Sequence, residues 1–431
     1  MSYIGHPHAG LALKAARPPY VLFLLLAASF FFSYHDIANA KRGIDNYNLS
    51  QDDLVATVNG SPVHHIALLS LGAGTIFILL RHRAKGRVRI DGPLGWFLLS
   101  FVVWAFVSPI WAEDLTVTLQ RLAGFGVLCI AAVAVVRRFS LPEIILWTFF
   151  STALFLLIGI VLEVIFGTFR PFTSGYRFAG SLHPNLQGID CGLLLLSAVA
   201  AADVERRWRA MFLACAFLGF VFLILSGSRT ALAAAVLALV IYMATVYSRS
   251  TKILIGYGLS ILFCSIFIFG GALSFSGLKS AVLLGRDDPA TVDSFTGRTM
   301  IWEDVGSYIR QRPITGYGYD GFWTPTHINA VSDEEEWGVP NGHSTYIDYL
   351  LTLGGVGLAA YILLLVAGIG RAFRLYKLSQ NSAFAFCGTL LVFCAFDGLL
   401  ESSVIEGGLL KFLCMVVLTR LAFVPLRKAS L

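Results

Sequence analysis

The chain has 431 residues, of which 57% are hydrophobic and 13% charged, with a mean hydropathy of +0.74. An average soluble domain carries about 25% charged residues, so this composition excludes an ordinary water-soluble enzyme. The net charge of +6 is not gathered into basic stretches interleaved with aromatics, which leaves no footprint for nucleic acid.

Apolar runs of membrane-spanning length follow one another along the chain. They cover about 19–34, 63–81, 94–111, 118–136, 141–166, 187–202, 209–226, 229–247, 252–274, 344–369, 381–400 and 406–424. Backbone groups crossing lipid must be satisfied internally, so these runs predict an all-α polytopic membrane protein of about twelve helices. The first run follows Lys14 and Arg17 and precedes Ala38-Asn39-Ala40, so it reads either as a first span or as a signal peptide. The cysteines (129, 191, 215, 264, 387, 394 and 414) fall inside apolar runs with no CxxC spacing, which marks them as small packing residues.

Orientation follows the distribution of Lys and Arg. If the N-terminus is cytoplasmic, basic residues fall in every cytoplasmic segment: Lys14 and Arg17, Arg81 to Arg89, Arg137 and Arg138, Arg206 to Arg209, Arg249 and Lys252, Arg371 to Lys377, and Arg427 and Lys428. The short opposite loops at Glu113–Asp114 and Glu401–Ser402 carry acid and no base. Both termini are therefore expected in the cytoplasm, as in a multi-pass protein of a bacterial inner membrane.

The longest polar stretch, about Ser276 to Gly342, then lies outside. It divides the chain into helices at 1–274, a large periplasmic loop at 275–342 and helices at 343–431. Loops of that length are usually functional, and its mixed composition predicts a folded segment. Thr299 to Gln311 reads as an amphipathic helix with Ile301, Trp302, Val305 and Ile309 on one face. The acidic run Asp333 to Glu336 reads as solvated surface. No internal repeat is evident.

Several basic residues sit on the outer side, against the usual bias: Arg170, Arg177, Arg229, Lys279, Arg286, Arg298, Arg310 and Arg312. Arg229 lies in Ser226-Gly227-Ser228-Arg229-Thr230-Ala231, with almost no residues between two apolar runs. It either snorkels or caps the preceding helix, or it faces a cavity and binds an anion with Ser226 and Ser228. A planar guanidinium suits a phosphate or diphosphate because its fork engages two oxygens at once. Glu163, Asp190, Glu401 and Glu406 lie at or near span ends and are expected to pair with arginines or to orient His343 or an acceptor sugar. Trp302, Trp323 and Trp337 can stack on sugars or anchor at the interface. His64, His65, His183 and His327 lack metal-ligand spacing.

Ser228-Arg229-Thr230-Ala231-Leu232 resembles the first motif of the O-antigen ligase and Wzy-type polymerase superfamily. Phe295 to Trp302, then Arg312-Pro313-Ile314-Thr315-Gly316-Tyr317-Gly318-Tyr319 with Gly321-Phe322-Trp323, resembles the second. Gly342-His343-Ser344 running into Leu353-Gly354-Gly355-Val356-Gly357-Leu358 is similar to the third, and Arg177 to Ser181 with Pro184-Asn185 to a weaker fourth. Together these cover about 175–360. The chain departs in having Ser344 where the family usually has Asn, and Thr352 where a Glu commonly stands.

The resemblance implies a GT-C-like membrane fold and glycosyl transfer from an undecaprenyl-diphosphate-linked oligosaccharide, with neither metal nor cofactor. Arg229 and Arg298 would clamp the diphosphate, with Arg177 as a third donor. Ser226, Ser228, Asn185, Trp302 and Tyr317 would contact substrate. His343 would be either the base for the acceptor hydroxyl or a phosphate ligand. The second motif looks most like polymerases of succinoglycan-type exopolysaccharides, which favours a polymerase over a ligase that transfers to lipid A core. Polysaccharide export and chain-length proteins are then the expected partners. A transporter or flippase would predict matching halves with interrupted helices, which the chain lacks.

Overall fold

A computed structural model describes residues 20–42, 62–81, 92–250 other than 174 and 249, 298–335, 338–405 and 408–423. Among these residues every regular element is helical. The helices are α1 (Tyr20–Tyr34), α2 (Ile37–Arg42), α3 (Pro62–Arg81), α4 (Pro93–Val107), α5 (Leu115–Arg138), α6 (Leu141–Phe166) and α7 (Pro184–Val204). They continue as α8 (Arg209–Leu225), α9 (Arg229–Val246), α10 (Arg298–Gln311), α11 (Pro325–Glu335), α12 (Thr345–Ser379), α13 (Ser382–Asp397) and α14 (Gly408–Phe423).

Eight helices among the described residues are long and apolar enough to cross a bilayer, and Phe23–Tyr34 and Ser382–Asp397 are shorter apolar helices. The chain is an all-α, multi-pass membrane protein. The expected run at 252–274, together with Lys279, Arg286, Glu406 and Trp337, lies outside the described residues. Local chemistry sets the boundaries. Ser140 and Glu143 form a capping box at the start of α6, and Gly167 closes that helix in the left-handed conformation.

The least hydrophobic of these spans, α7, is buried along most of its length against α6, α8, α9, α13 and α14. Small residues let its neighbours approach closely. A Cβ at Gly188 would lie 2.8 Å from both the Ser226 hydroxyl and the Ser228 Cβ, so the α8–α9 turn rests directly on α7. Helix α14 carries cations yet is almost wholly interior. Lys411 donates to the Ile405 carbonyl at 2.6 Å and lies 5.5 Å from the Tyr319 ring centre, while Arg420 donates to the Val136 carbonyl at 3.1 Å.

The run expected as one span at 344–369 belongs to a longer helix that breaks at Gly354, whose φ is +66°. Residues 313–318 lie in the break and take up the backbone groups it exposes. Tyr317 N donates to the Leu351 carbonyl at 2.9 Å, Gly318 N to Thr352 at 2.9 Å, and Gly355 N donates back to the Pro313 carbonyl at 2.8 Å. A Cβ at Gly354 would overlap the Ile314 carbonyl, and one at Gly316 would lie 2.7 Å from Gly354 N. The glycines of the second and third motifs therefore let two backbones touch.

The described part of the long loop folds as a cap on this junction. Ile301 and Val305 of α10, Phe322, Ile328 and Val331 form an apolar core completed by Leu351 of α12. Ile301 and Val305 are fully buried, with Trp302 and Ile309 packed at the edge of that core. The Arg121–Asp320 ion pair at 2.7 Å and a bond from Tyr319 N to the Ser108 hydroxyl at 2.9 Å tie the cap to the α4–α5 corner.

Candidate active site

The segment leading into α7 presents Arg177. Glu163, buried near the end of α6, accepts from Ala179 N at 2.9 Å, Gly180 N at 2.8 Å and the Tyr176 hydroxyl at 2.6 Å. This carboxylate thus holds the backbone around Arg177, where a pairing with an arginine was expected. Arg177 itself donates through Nε to the Ser226 carbonyl at 2.9 Å and through Nη2 to Asn185 Oδ1 at 2.6 Å. Asp190, also expected to pair with an arginine, lies instead 3.7 Å from His35 Nε2.

The α8–α9 turn presents Arg229. Gly227 adopts a φ of +65°, and a Cβ there would lie 2.9 Å from Arg177 Nε. Only glycine combines that conformation with so close an approach. Ser228 is the N-cap of α9 and accepts from Ala231 N at 3.4 Å. Ser226 turns inward and donates to the Leu223 carbonyl at 2.7 Å. Arg229 is the first residue of α9, and its guanidinium makes no hydrogen bond or ion pair among the described residues. The reading in which it caps the preceding helix is therefore not what the structure shows.

The third arginine is anchored differently. Arg298 opens α10 and donates to Glu401 Oε1 at 2.7 Å, with both side chains largely buried. The same oxygen accepts from Asn185 Nδ2 at 2.9 Å. Glu401 follows α13, and its backbone carbonyl accepts from Thr345 N at 3.1 Å, which fixes the α13–α14 connection to the start of α12.

His343 lies immediately before α12 with a φ of +46°. Asn341 Oδ1 accepts from His343 N at 2.8 Å and from the Ser402 hydroxyl at 3.1 Å. Asp348 accepts from Gly342 N at 3.0 Å, from Trp323 Nε1 at 2.8 Å and from Ser402. The strained turn is thus over-determined by its surroundings. Burial, then the nearby charge of Arg298 and the His183 imidazole, push His343 down to about 3. Its ring is neutral at physiological pH.

Arg177, Asn185, Ser228, Arg229, Arg298 and His343 line one cleft of about 180 Å³, with His183, Gly227, Thr230 and Glu401. Ser226, Trp302 and Tyr317 are not among the lining residues. The Trp302 indole N–H is bonded to the Gly342 carbonyl at 2.8 Å, and Tyr317 is buried in the cap with its hydroxyl on the Tyr308 carbonyl at 3.1 Å. Trp323 is likewise buried. Arg170 and Arg310 lie elsewhere, and Arg312 sits 3.5 Å from Glu113 and 4.6 Å from the Tyr317 ring centre. His183, Asn341, Asp348 and Ser402 received no site role from the sequence. The available signals were the His before Pro184-Asn185 and an Asp in the first turn of an apolar helix. Among the described residues no three His, Cys, Asp or Glu side chains form a metal-ligand set.

Residues 214–362 match the O-antigen ligase family model, a stretch running from α8 through the Gly354 break. Over that stretch the chain is similar to the O-antigen ligase family. Over 289 residues it is 24% identical to the exopolysaccharide production protein ExoQ of Rhizobium meliloti (strain 1021), with 63% of each chain covered. It thus spans under two thirds of that relative's length. The arginine turn, the described end of the second motif and the His343 turn all fall inside the matched stretch, whereas Arg177 and Glu401 lie outside it and complete the cleft.

Proposed function

We propose that the chain polymerises undecaprenyl-diphosphate-linked oligosaccharide repeat units into exopolysaccharide at the periplasmic face of a bacterial inner membrane, with both termini cytoplasmic. The observation that carries this reading is the cleft with three arginines, of which Arg229 has no protein partner among the described residues. A diphosphate leaving group needs charge stabilisation as the glycosidic bond breaks, and preorganised guanidinium groups supply it without further reorganisation. The transfer is metal-independent on this reading, because three guanidinium groups carry that role. Arg229 and Arg298 contact the diphosphate and Arg177 supports them through Asn185. His343 takes part as a neutral hydrogen-bonding group, since a ring held near 3 is a weak base in the empty cleft.

Similarity to an exopolysaccharide production protein favours the polymerase. The description of the family model supports a second reading, ligation of polysaccharide from undecaprenyl diphosphate to lipid A core. Analysis of polysaccharides in a deletion strain separates them. Loss of secreted polymer with intact lipopolysaccharide is the expected result. Accumulated lipid-linked O-antigen with unextended core would establish the ligase instead.

A further inference from the structure

Among the lining residues one is acidic. Glu401 sits in a cleft otherwise built for an anion, and one of its oxygens accepts from both Arg298 and Asn185. A glutamate there opposes donor binding unless it serves a later step. The charge balance of the reaction supplies that step. The arginines and Glu401 leave the empty cleft with a net charge of two, matching a doubly esterified diphosphate. When the glycosidic bond breaks, the leaving diphosphate acquires a terminal phosphate, whose extra ionisation adds close to one further negative charge near neutral pH. The acceptor hydroxyl must lose a proton at the same time.

Resting on the glycosyl-transfer reading above, we propose that Glu401 is a catalytic residue that couples these two events. In the empty cleft its carboxylate neutralises Arg298. Donor diphosphate draws Arg298 away, and the carboxylate, now beside phosphate oxygens, gains proton affinity. The acceptor O–H gives its proton to Glu401. The acceptor oxygen forms a bond to the anomeric carbon, and the electron pair of the breaking carbon–oxygen bond goes to the phosphate. Protonated Glu401 no longer competes for Arg298, so the cleft gains one positive charge as the leaving group gains one negative charge. Asn185, bonded to both Glu401 and Arg177, extends the coupling to the second arginine.

The test uses the full-length chain in lipid nanodiscs and two measurements. The first is affinity for undecaprenyl diphosphate. The second is release of undecaprenyl diphosphate from lipid-linked repeat units accumulated by the chain's own deletion strain. Glu401→Gln retains an amide oxygen for Arg298 and removes the charge and the proton acceptor. The expected result is binding tightened about tenfold and turnover lowered by roughly 10²-fold or more. Glu401→Asp should recover part of the turnover. Weaker undecaprenyl diphosphate binding by Glu401→Gln, with an unchanged thermal midpoint, would reduce Glu401 to a prop for Arg298 and overturn the proposal. So would turnover within about threefold of wild type. If the wild-type chain releases no undecaprenyl diphosphate, the glycosyl-transfer reading fails, and the binding measurement still decides whether Glu401 opposes the diphosphate.

Discussion

Arg229 and Arg298 line the same cleft, but their surroundings predict opposite effects on stability. Arg229 bonds no described residue and stands at the first position of α9, where the helix dipole disfavours a cation. Arg229→Ala should leave stability unchanged or raise it by about 0.3–1 kcal/mol. Arg298→Ala instead removes the cation from the largely buried Arg298–Glu401 pair and leaves the carboxylate's charge behind. Breaking a buried pair from one side costs roughly 3 kcal/mol. Both variants should lose turnover, by roughly 10²–10³-fold each if each guanidinium meets charge that develops in the transition state. Thermal unfolding in detergent, read beside polymer production in the complemented deletion strain, distinguishes the two effects. A drop in the Arg229→Ala midpoint as large as that of Arg298→Ala would refute the assignment of Arg229 as a ligand-facing residue. Undiminished high-molecular-weight polymer in either variant would refute the clamp.

Gly227→Ala should act on Arg177 at a distance. The positive φ costs about 1–2 kcal/mol, and the added methyl displaces the Arg177 guanidinium from the Ser226 carbonyl. Its donor KM should rise with that of Arg177→Ala, and the double variant should add little. The depressed His343 also predicts a pH dependence of stability. Its folded value, about 3, lies below the unfolded value of about 6.5, so the unfolded chain takes up the proton first. The contribution of the neutral ring is complete above about pH 6.5 and is lost at about 1.4 kcal/mol per unit as pH falls toward 3. Thermal midpoints from pH 7 to pH 4 should fall less steeply in His343→Asn than in wild type.

The membrane helices were legible because apolar run length is a direct consequence of bilayer thickness, and misplaced arginines are conspicuous for the same reason. That legibility reached Arg177, Arg229 and Arg298, and the position of His343 just before a span. It did not extend to Ser226, whose hydroxyl turns back onto its own helix, or to Tyr317, which is expected from the sequence to contact substrate and closes the cap core in the structure. Both depend on side-chain direction within a turn, which spacing does not encode. The break at Gly354 was hidden for a related reason. Hydropathy averages over the run and is indifferent to whether residues 313–318 displace one turn of it. Glu401 was weighed as a partner for an arginine, but its choice of Arg298 depends on the packing of α10 against α12.

The cleft sits where helix ends meet, and the ends do not contribute equally. Helices α7 and α9 reach the cleft through Asn185 and Thr230, and in their first turns Asn185 N donates to the His183 ring at 3.2 Å and Ala231 N to the Ser228 hydroxyl at 3.4 Å. The positive ends of two helix dipoles therefore add to the guanidinium field. At α12 the first N–H is already bonded to the carbonyls of Gly398 and Glu401, so that end is spent on holding the α13–α14 connection in place. The anion field is thus shared by Arg177, Arg229 and Arg298 with the α7 and α9 termini. Glu401 is the one acidic lining residue, and it meets this field directly through its bonds from Asn185 and Arg298. A diphosphate held by Arg229 and Arg298 should therefore bring its sugar close to Glu401, where the acceptor proton can be received.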